Sequence, residues 1–136
     1  MNIYKEFRTA IITILNDLIS QGELPSEISL GGVIVEPPRD RNYGELATNA
    51  SMLVAKQSKK DPLAIADLIK KRLVIDKRVR SIKIVKPGFI NFTLKQAVWC
   101  EILGYALNTG DKFGSSNVGA GKRVNIEFVS ANPTGP

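Results

Sequence analysis

The pattern that most restricts the fold is a pair of alternating segments joined by a proline-glycine turn. Val79-Arg-Ser-Ile-Lys-Ile-Val85 is followed by Lys86-Pro-Gly88 and then by Phe89-Ile-Asn-Phe-Thr-Leu94. Such alternation predicts two strands, and the short connection predicts that they pair as an antiparallel hairpin. Successive side chains point to opposite faces of a sheet. The second strand should therefore place Ile90, Phe92 and Leu94 in the core, and Phe89, Asn91 and Thr93 on the other face.

Phe89 and Asn91 allow two interpretations. An exposed aromatic ring can stack on an unpaired base, and a neighbouring amide can hydrogen-bond the edge of that base. Alternatively, Phe89 is half-buried under a loop and Asn91 is merely solvated. The alternation by itself favours the second interpretation.

The rest of the chain predicts helices around this hairpin. A first helix carries an apolar stripe at helical spacing and ends near Gln21-Gly22; the stripe consists of Ile3, Phe7, Ala10, Ile11, Ile14, Leu15 and Leu18. Residues 31–36 predict a strand, and residues 45–56 predict a second helix. Asp61-Pro62 predicts the start of a third helix, and residues 96–107 predict a fourth. This order predicts an α+β fold, in which helices pack on one face of a small, mostly antiparallel sheet.

Composition excludes several classes of site. The 136 residues suffice for one domain of ordinary size, and no apolar run approaches the length of a membrane span. The chain has no histidine and a single cysteine, Cys100. A histidine-activated nucleophile and a histidine-ligated metal are thereby excluded, and so is an internal disulfide. We expect a monomer in the reducing cytoplasm.

The positive charge is concentrated in one stretch. Residues 56–95 hold twelve Lys and Arg against three Asp and Glu, whereas the other two parts of the chain are acidic or balanced. Such a block can be a solvated face, or it can attract a polyanion such as nucleic acid. For Lys70, Lys71 and Arg72, stabilisation of a helix C-terminus is an equally good explanation.

The last thirty residues differ in character from those before them. Residues 108–122 contain four glycines and predict a flexible linker between a module of residues 1–107 and a terminal segment of residues 123–136. Val124, Ile126 and Phe128 alternate with polar residues and predict a lone strand, which runs into a proline-rich loop. We expect a chain cut at the start of a second, nucleotide-binding domain. Residues after Asn108 should then be mobile or held by another copy, because an unpaired strand lacks hydrogen-bond partners.

Two stretches of the chain resemble arginyl-tRNA synthetases. The first is Asn125-Ile-Glu-Phe-Val-Ser-Ala-Asn-Pro-Thr-Gly-Pro136, which in that family leads into the His-x-Gly-His signature. The second comprises Asn42-Tyr-Gly-Glu-Leu-Ala-Thr-Asn-Ala-Ser-Met-Leu53, Asp61-Pro62 and Pro87-Gly-Phe-Ile-Asn-Phe92. The resemblance implies a full-length class I enzyme that activates arginine with ATP and Mg²⁺ and transfers it to tRNA. It implies that the present part is inactive alone and binds no cofactor.

The resemblance also implies roles for particular residues. The module is similar to the family domain that grips the corner of tRNA at its D loop, where positions matching Phe89 and Asn91 contact an unpaired base. This favours the functional interpretation of both residues. Lys83 and Lys86, on the same hairpin, can hold phosphates. The alternative is a free-standing basic RNA-binding module or a structural interaction module.

The terminal segment, by the same resemblance, lines the arginine pocket. Glu127, Ser130 and Asn132 match positions that hold the substrate amino acid, and a carboxylate suits a cationic substrate. The start of the signature region comprises Ala131, Asn132, Pro133, Thr134, Gly135 and Pro136. Some family members carry a phosphate-binding lysine where this chain has Gly135, so the corresponding cation must lie elsewhere.

Overall fold

The structure, a computed structural model, describes residues 2–128. Within this range four α-helices accompany a four-stranded sheet. The helices are α1 (Ile3–Ser20), α2 (Ala50–Ser58), α3 (Pro62–Leu73) and α4 (Gln96–Thr109). The strands are β1 (Val35–Glu36), β2 (Leu46–Thr48), β3 (Val79–Val85) and β4 (Phe89–Leu94), and short 3-10 turns occupy Arg41–Tyr43 and Gly110–Lys112. The predicted α+β class is confirmed.

Two of the helices begin at side chains that cap free backbone amides. The Asn2 side chain accepts a hydrogen bond from the Lys5 amide at 3.1 Å, directly before α1. Asp61 accepts from the amides of Leu63 and Ala64, and Pro62 follows as the first helical residue of α3. Each cap satisfies donors that have no partner within the helix. The predicted start of α3 at Asp61-Pro62 is therefore confirmed.

The sheet has the strand order β1-β2-β4-β3, and every neighbouring pair is antiparallel. The predicted hairpin is confirmed with its bounds, because β3 and β4 pair from Val85 opposite Phe89 to Val79 opposite Leu94. The ladder has an irregularity between Val79 and Ser81. The other edge of β4 pairs with β2, which places β4 in the interior of the sheet.

The prediction of one helix over residues 45–56 was wrong in its first part. Residues 46–48 form β2, and α2 begins only at Ala50. All three β2 side chains are buried, so the strand shows no alternation, and it is held by pairing with β4, which is distant in sequence. The predicted first strand at residues 31–36 shrinks to the two residues of β1.

The core lies between one face of the sheet and helices α1, α2 and α3. Phe7 from α1 and Phe92 from β4 are fully buried, with ring centroids 5.1 Å apart. Ile90 and Leu94 point to the same side, as alternation predicted. The helices therefore cover one face of the sheet and leave the other to the loops. Within residues 2–128 no helix is both long and apolar enough to cross a membrane.

The terminal strand predicted from residue 124 is not formed in the part of the chain that the structure describes. Residues 122–127 carry neither helix nor strand, and Val124, Ile126 and Phe128 are exposed. A strand is stable only when a neighbour accepts and donates its backbone hydrogen bonds, and residues 2–128 supply no such neighbour. The predicted linker at residues 108–122, and the predicted mobility of the residues after Asn108, remain predictions.

Candidate nucleic-acid interface

The sheet face opposite the helices carries a row of side chains that crosses all four strands. Cα pairing aligns Glu36 of β1 with Ala47 of β2, Ala47 with Asn91 of β4, and Asn91 with Lys83 of β3. Phe89 lies two residues from Asn91 on the same face and is 39% exposed. Alternation thus placed Phe89 and Asn91 correctly, away from Ile90 and Phe92.

A pocket of about 330 Å³ opens above this row. Its floor is formed by strand residues, and its wall is formed by the loop that connects β1 to the first 3-10 turn. The lining residues are Glu36, Pro37, Pro38, Arg39, Asp40, Tyr43, Ala47, Val85, Phe89 and Asn91. The small side chain of Ala47 leaves the space over the centre of the sheet open. Apolar walls with a few polar groups are typical of a ligand pocket.

Asn91 is the unusual residue of the pocket, because its side-chain oxygen is buried without a hydrogen-bond partner among the described residues. The residue is only 4% exposed, and its Oδ1 atom has no hydrogen-bond partner among the described residues. A buried acceptor without a partner costs roughly 1–3 kcal/mol. Most buried polar side chains in folded proteins have a partner, so an unsatisfied acceptor in a residue that lines a pocket is unusual.

Tyr43 is a pocket residue to which sequence reasoning gave no role. Its ring is partly exposed on the loop side of the pocket, and Lys83 Nζ lies 5.2 Å from the ring centroid. That geometry is a cation–π contact, which holds the ammonium group beside the pocket. The Asn42-Tyr-Gly motif is recognisable in the sequence, but nothing local to it indicates that the loop folds over the sheet.

Two glycines set the close packing around the pocket. Gly44 has φ +125°, and a side chain there would place its Cβ 3.0 Å from the carbonyl oxygen of Phe92. Gly88 is buried, and a Cβ there would lie 2.9 Å from the Pro62 side chain. The Ser51 hydroxyl also donates a hydrogen bond to the Gly88 carbonyl. Gly44 therefore lets the turn that carries Tyr43 approach β4, and Gly88 lets the turn before Phe89 approach α3.

Arg78, within the basic stretch, is committed to the fold rather than to a ligand. Its guanidinium donates to Asp76 Oδ2 at 2.8 Å and to Glu6 Oε2 at 3.1 Å, and it lies 4.3 Å from the Phe7 ring centroid. The hydrogen bonds from Arg78 hold the pKa of Asp76 below its usual value, because they stabilise the charged carboxylate. The same pairing raises the pKa of Arg78.

Arg72 also forms an ion pair within the fold, whereas other cations of the basic stretch remain available to bind a ligand. Arg72 pairs with Glu23 at 2.9 Å, so it joins α3 to the segment after α1. Lys70 and Lys71 lie in the last turn of α3, where either explanation still holds. Lys83 and Lys86 are exposed on the hairpin and form no ion pair within residues 2–128. Among the predicted phosphate contacts, only Lys83 is brought beside the pocket, through Tyr43.

The residues predicted to hold arginine are not brought together in the described part of the chain. Glu127 is exposed on the segment without regular structure. Ser130 and Asn132 lie outside the described residues, as does the start of the signature region from Ala131 to Pro136. Their assignment to an arginine pocket remains a prediction.

Comparison with known proteins places this chain in a family. An arginine–tRNA ligase from Cereibacter sphaeroides (strain ATCC 17025) is 47% identical over all 136 residues. Arginine–tRNA ligases from Ruegeria sp. (strain TM1040) and Jannaschia sp. (strain CCS1) are 46% and 41% identical over the same length. The chain spans 23–24% of these three relatives, which is about a quarter of their length.

The fold has a counterpart among solved structures. The crystal structure of arginyl-tRNA synthetase from Plasmodium falciparum matches with a TM-score of 0.59 at 18% identity, over 71% of this chain and 16% of that one. At this identity the match supports the fold alone. The family described as "Arginyl tRNA synthetase N terminal domain" matches residues 1–94, which include the whole sheet and pocket. The chain belongs to this family.

Proposed function

We propose that this chain is the tRNA-positioning part of an arginine–tRNA ligase, and that its sheet-face pocket receives one unpaired base from the D loop of the tRNA. The observation that carries the proposal is Asn91, a residue that lines an open pocket and whose buried Oδ1 has no partner among the described residues. The amide group presents an acceptor and a donor to the edge of a base, as asparagine does in base recognition.

The walls of the pocket support a base rather than another small ligand. Phe89 offers an exposed ring on one side, and Tyr43 offers a second ring on the loop side. Aromatic side chains stack on unpaired bases, whereas an apolar ligand gains nothing from the Asn91 amide. Lys83, held against Tyr43, supplies positive charge where a phosphate of the same nucleotide can lie.

The remaining parts of the ligase reaction belong to the longer polypeptide. We propose that it activates arginine with ATP, that Glu127, Ser130 and Asn132 contribute to the arginine pocket, and that the protein acts as a monomer. Described residues 2–128 contain no group of three or more His, Cys, Asp or Glu that could hold a metal.

Steady-state aminoacylation by the longer enzyme tests the base pocket. Phe89→Ala should weaken tRNA use by roughly ten- to a hundredfold, because stacking on one base is worth about 1–3 kcal/mol. Arginine and ATP affinity should stay nearly unchanged. Lys83→Ala should give a smaller loss that fades at high salt, because a phosphate contact is screened. Thr93→Ala is the matched control, since Thr93 is on the same face of β4 but does not line the pocket.

The same assay with the D-loop base varied gives the decisive result. The wild-type enzyme and Thr93→Ala should discriminate between loop bases, and Phe89→Ala and Asn91→Ala should discriminate much less. If both pocket variants remain as sensitive to the loop base as the wild type, the base binds elsewhere and the proposal is wrong.

A further inference from the structure

Helix α4 is apolar over much more of its circumference than the described structure covers. Among its fourteen residues only Glu101 is charged. At about 100° per residue, the apolar side chains from Tyr105 through Ile102 to Cys100 span roughly 220° of the helix. An amphipathic surface helix needs an apolar stripe only about 100° wide.

One half of this apolar arc already packs against the core. Val98 is buried, and Trp99 and Ile102 pack against the core beside the N-terminus of α1. The other half is defined here as the outer α4 face, and it comprises Cys100, Leu103 and Leu107. These positions have the spacing i, i+3 and i+7, which puts them on one side of the helix. Leu103 is 60% exposed and Leu107 is 74% exposed.

A second observation concerns the distribution of uncovered apolar surface. Within residues 2–128, eight of the fourteen exposed large hydrophobic residues lie between residues 103 and 128. Clustered apolar exposure of this kind marks an interaction surface.

We infer that the outer α4 face is the docking surface for the part of the same polypeptide that follows residue 136. The relatives are about four times as long as this chain, and this chain corresponds to their N-terminal domain. The covering surface should be apolar opposite Leu103 and Leu107. The inference rests on the proposed function only in requiring that the polypeptide continue as in those relatives.

Cys100 provides a direct probe of this inference, because it is exposed on the outer α4 face and is the single cysteine of residues 1–136. Labelling by N-ethylmaleimide, with each modified site located by mass spectrometry, should be compared between residues 1–136 and the full-length protein. We expect labelling of Cys100 to be slower by about tenfold or more in the full-length protein, since a covered thiol reacts only through local opening.

A neighbouring position serves as the matched control. In a variant with Cys100→Ser and Glu101→Cys, the new thiol lies on the polar side of α4 and should react at similar rates in both lengths. A second variant, Leu103→Glu with Leu107→Glu, should leave the thermal midpoint of residues 1–136 nearly unchanged. In the full-length protein it should restore rapid labelling of Cys100, because charge on the docking face prevents burial.

Three results would overturn the inference. The first is equal labelling of Cys100 in both lengths, which would mean that the face stays open. The second is protection within residues 1–136 that grows with protein concentration, which would identify a second copy as the occupant. The third is a gene that ends at Pro136. The Phe89 assay reports on a different face, so base recognition and docking can each fail while the other holds.

Discussion

Replacing Asn91 by leucine should separate stability from RNA recognition. Leucine has nearly the shape of asparagine but presents no acceptor to the pocket. Because Asn91 Oδ1 is buried without a partner among the described residues, its removal recovers part of a desolvation cost of roughly 1–3 kcal/mol. Leucine also suits a strand better than asparagine does. We expect Asn91→Leu to raise the free energy of unfolding of residues 1–136 by about 1 kcal/mol, and the thermal midpoint by about 4 °C.

The same substitution should damage recognition. An asparagine that pairs with a base edge is worth about 1–3 kcal/mol, so tRNA affinity should fall by roughly ten- to a hundredfold. Urea unfolding and fluorescence anisotropy with labelled tRNA measure the two effects on one protein sample. Thr93→Val is the control: it removes a polar group from the same face of β4, outside the pocket, and should leave tRNA affinity unchanged.

The opposite pattern would refute the reasoning. If Asn91→Leu destabilises the protein, the amide is a structural group whose hydrogen bonds hold the loop. If the variant is more stable but binds tRNA as well as the wild type, the free acceptor has no role in recognition.

Three further predictions concern other features of the chain. The pKa of Asp76 is lower in the folded protein than its ordinary value of 3.8, so the charged carboxylate stabilises the fold above that pH, and this stabilisation is lost as the pH falls below it. Asparagine cannot titrate, so between pH 6 and pH 3 the thermal midpoint of Asp76→Asn should fall less than that of the wild type. Gly44→Ala should cost about 1–3 kcal/mol in urea unfolding, because φ is +125° and the new Cβ meets the Phe92 carbonyl; a cost near zero would mean that the loop shifts freely. Residues 1–136 alone should show no arginine-dependent ATP–pyrophosphate exchange, and measurable exchange would overturn the proposed division of the chain.

Local patterns predicted the elements whose stabilising interactions are close in sequence. The hairpin of β3 and β4 was predicted with its bounds, because strong alternation and a Pro-Gly turn lie within sixteen residues. The start of α3 at Asp61-Pro62 was equally clear, since a cap acts on amides only two and three residues away. The outward position of Phe89 and Asn91 follows from the period of a strand and needs no tertiary information.

The features that were missed depend on distant contacts. The three residues of β2 carry no pattern of their own and become a strand by pairing with β4. The burial of Asn91 could not be predicted either, because its surroundings come from distant residues: Ala47 of β2 pairs beside it, and the loop with Tyr43 lines the same pocket. Alternation distinguishes the two faces of a strand, but it does not reveal whether a loop covers the outer face.

The insertion of β2 between β1 and β4 also has a consequence for the order in which the molecule assembles. One wall of the pocket comes from residues 36–47 and the other from residues 85–91, and the two are joined only when β2 pairs with β4 across α2 and α3. Closing the loop of residues 49–88 costs entropy before any contact repays it, so the pairing of β2 with β4 is expected late in folding. A chain that has formed only its helices and hairpin therefore has Phe89 and Asn91 in place but no pocket. Binding of the loop base should accordingly appear in one step with the final closure of the sheet.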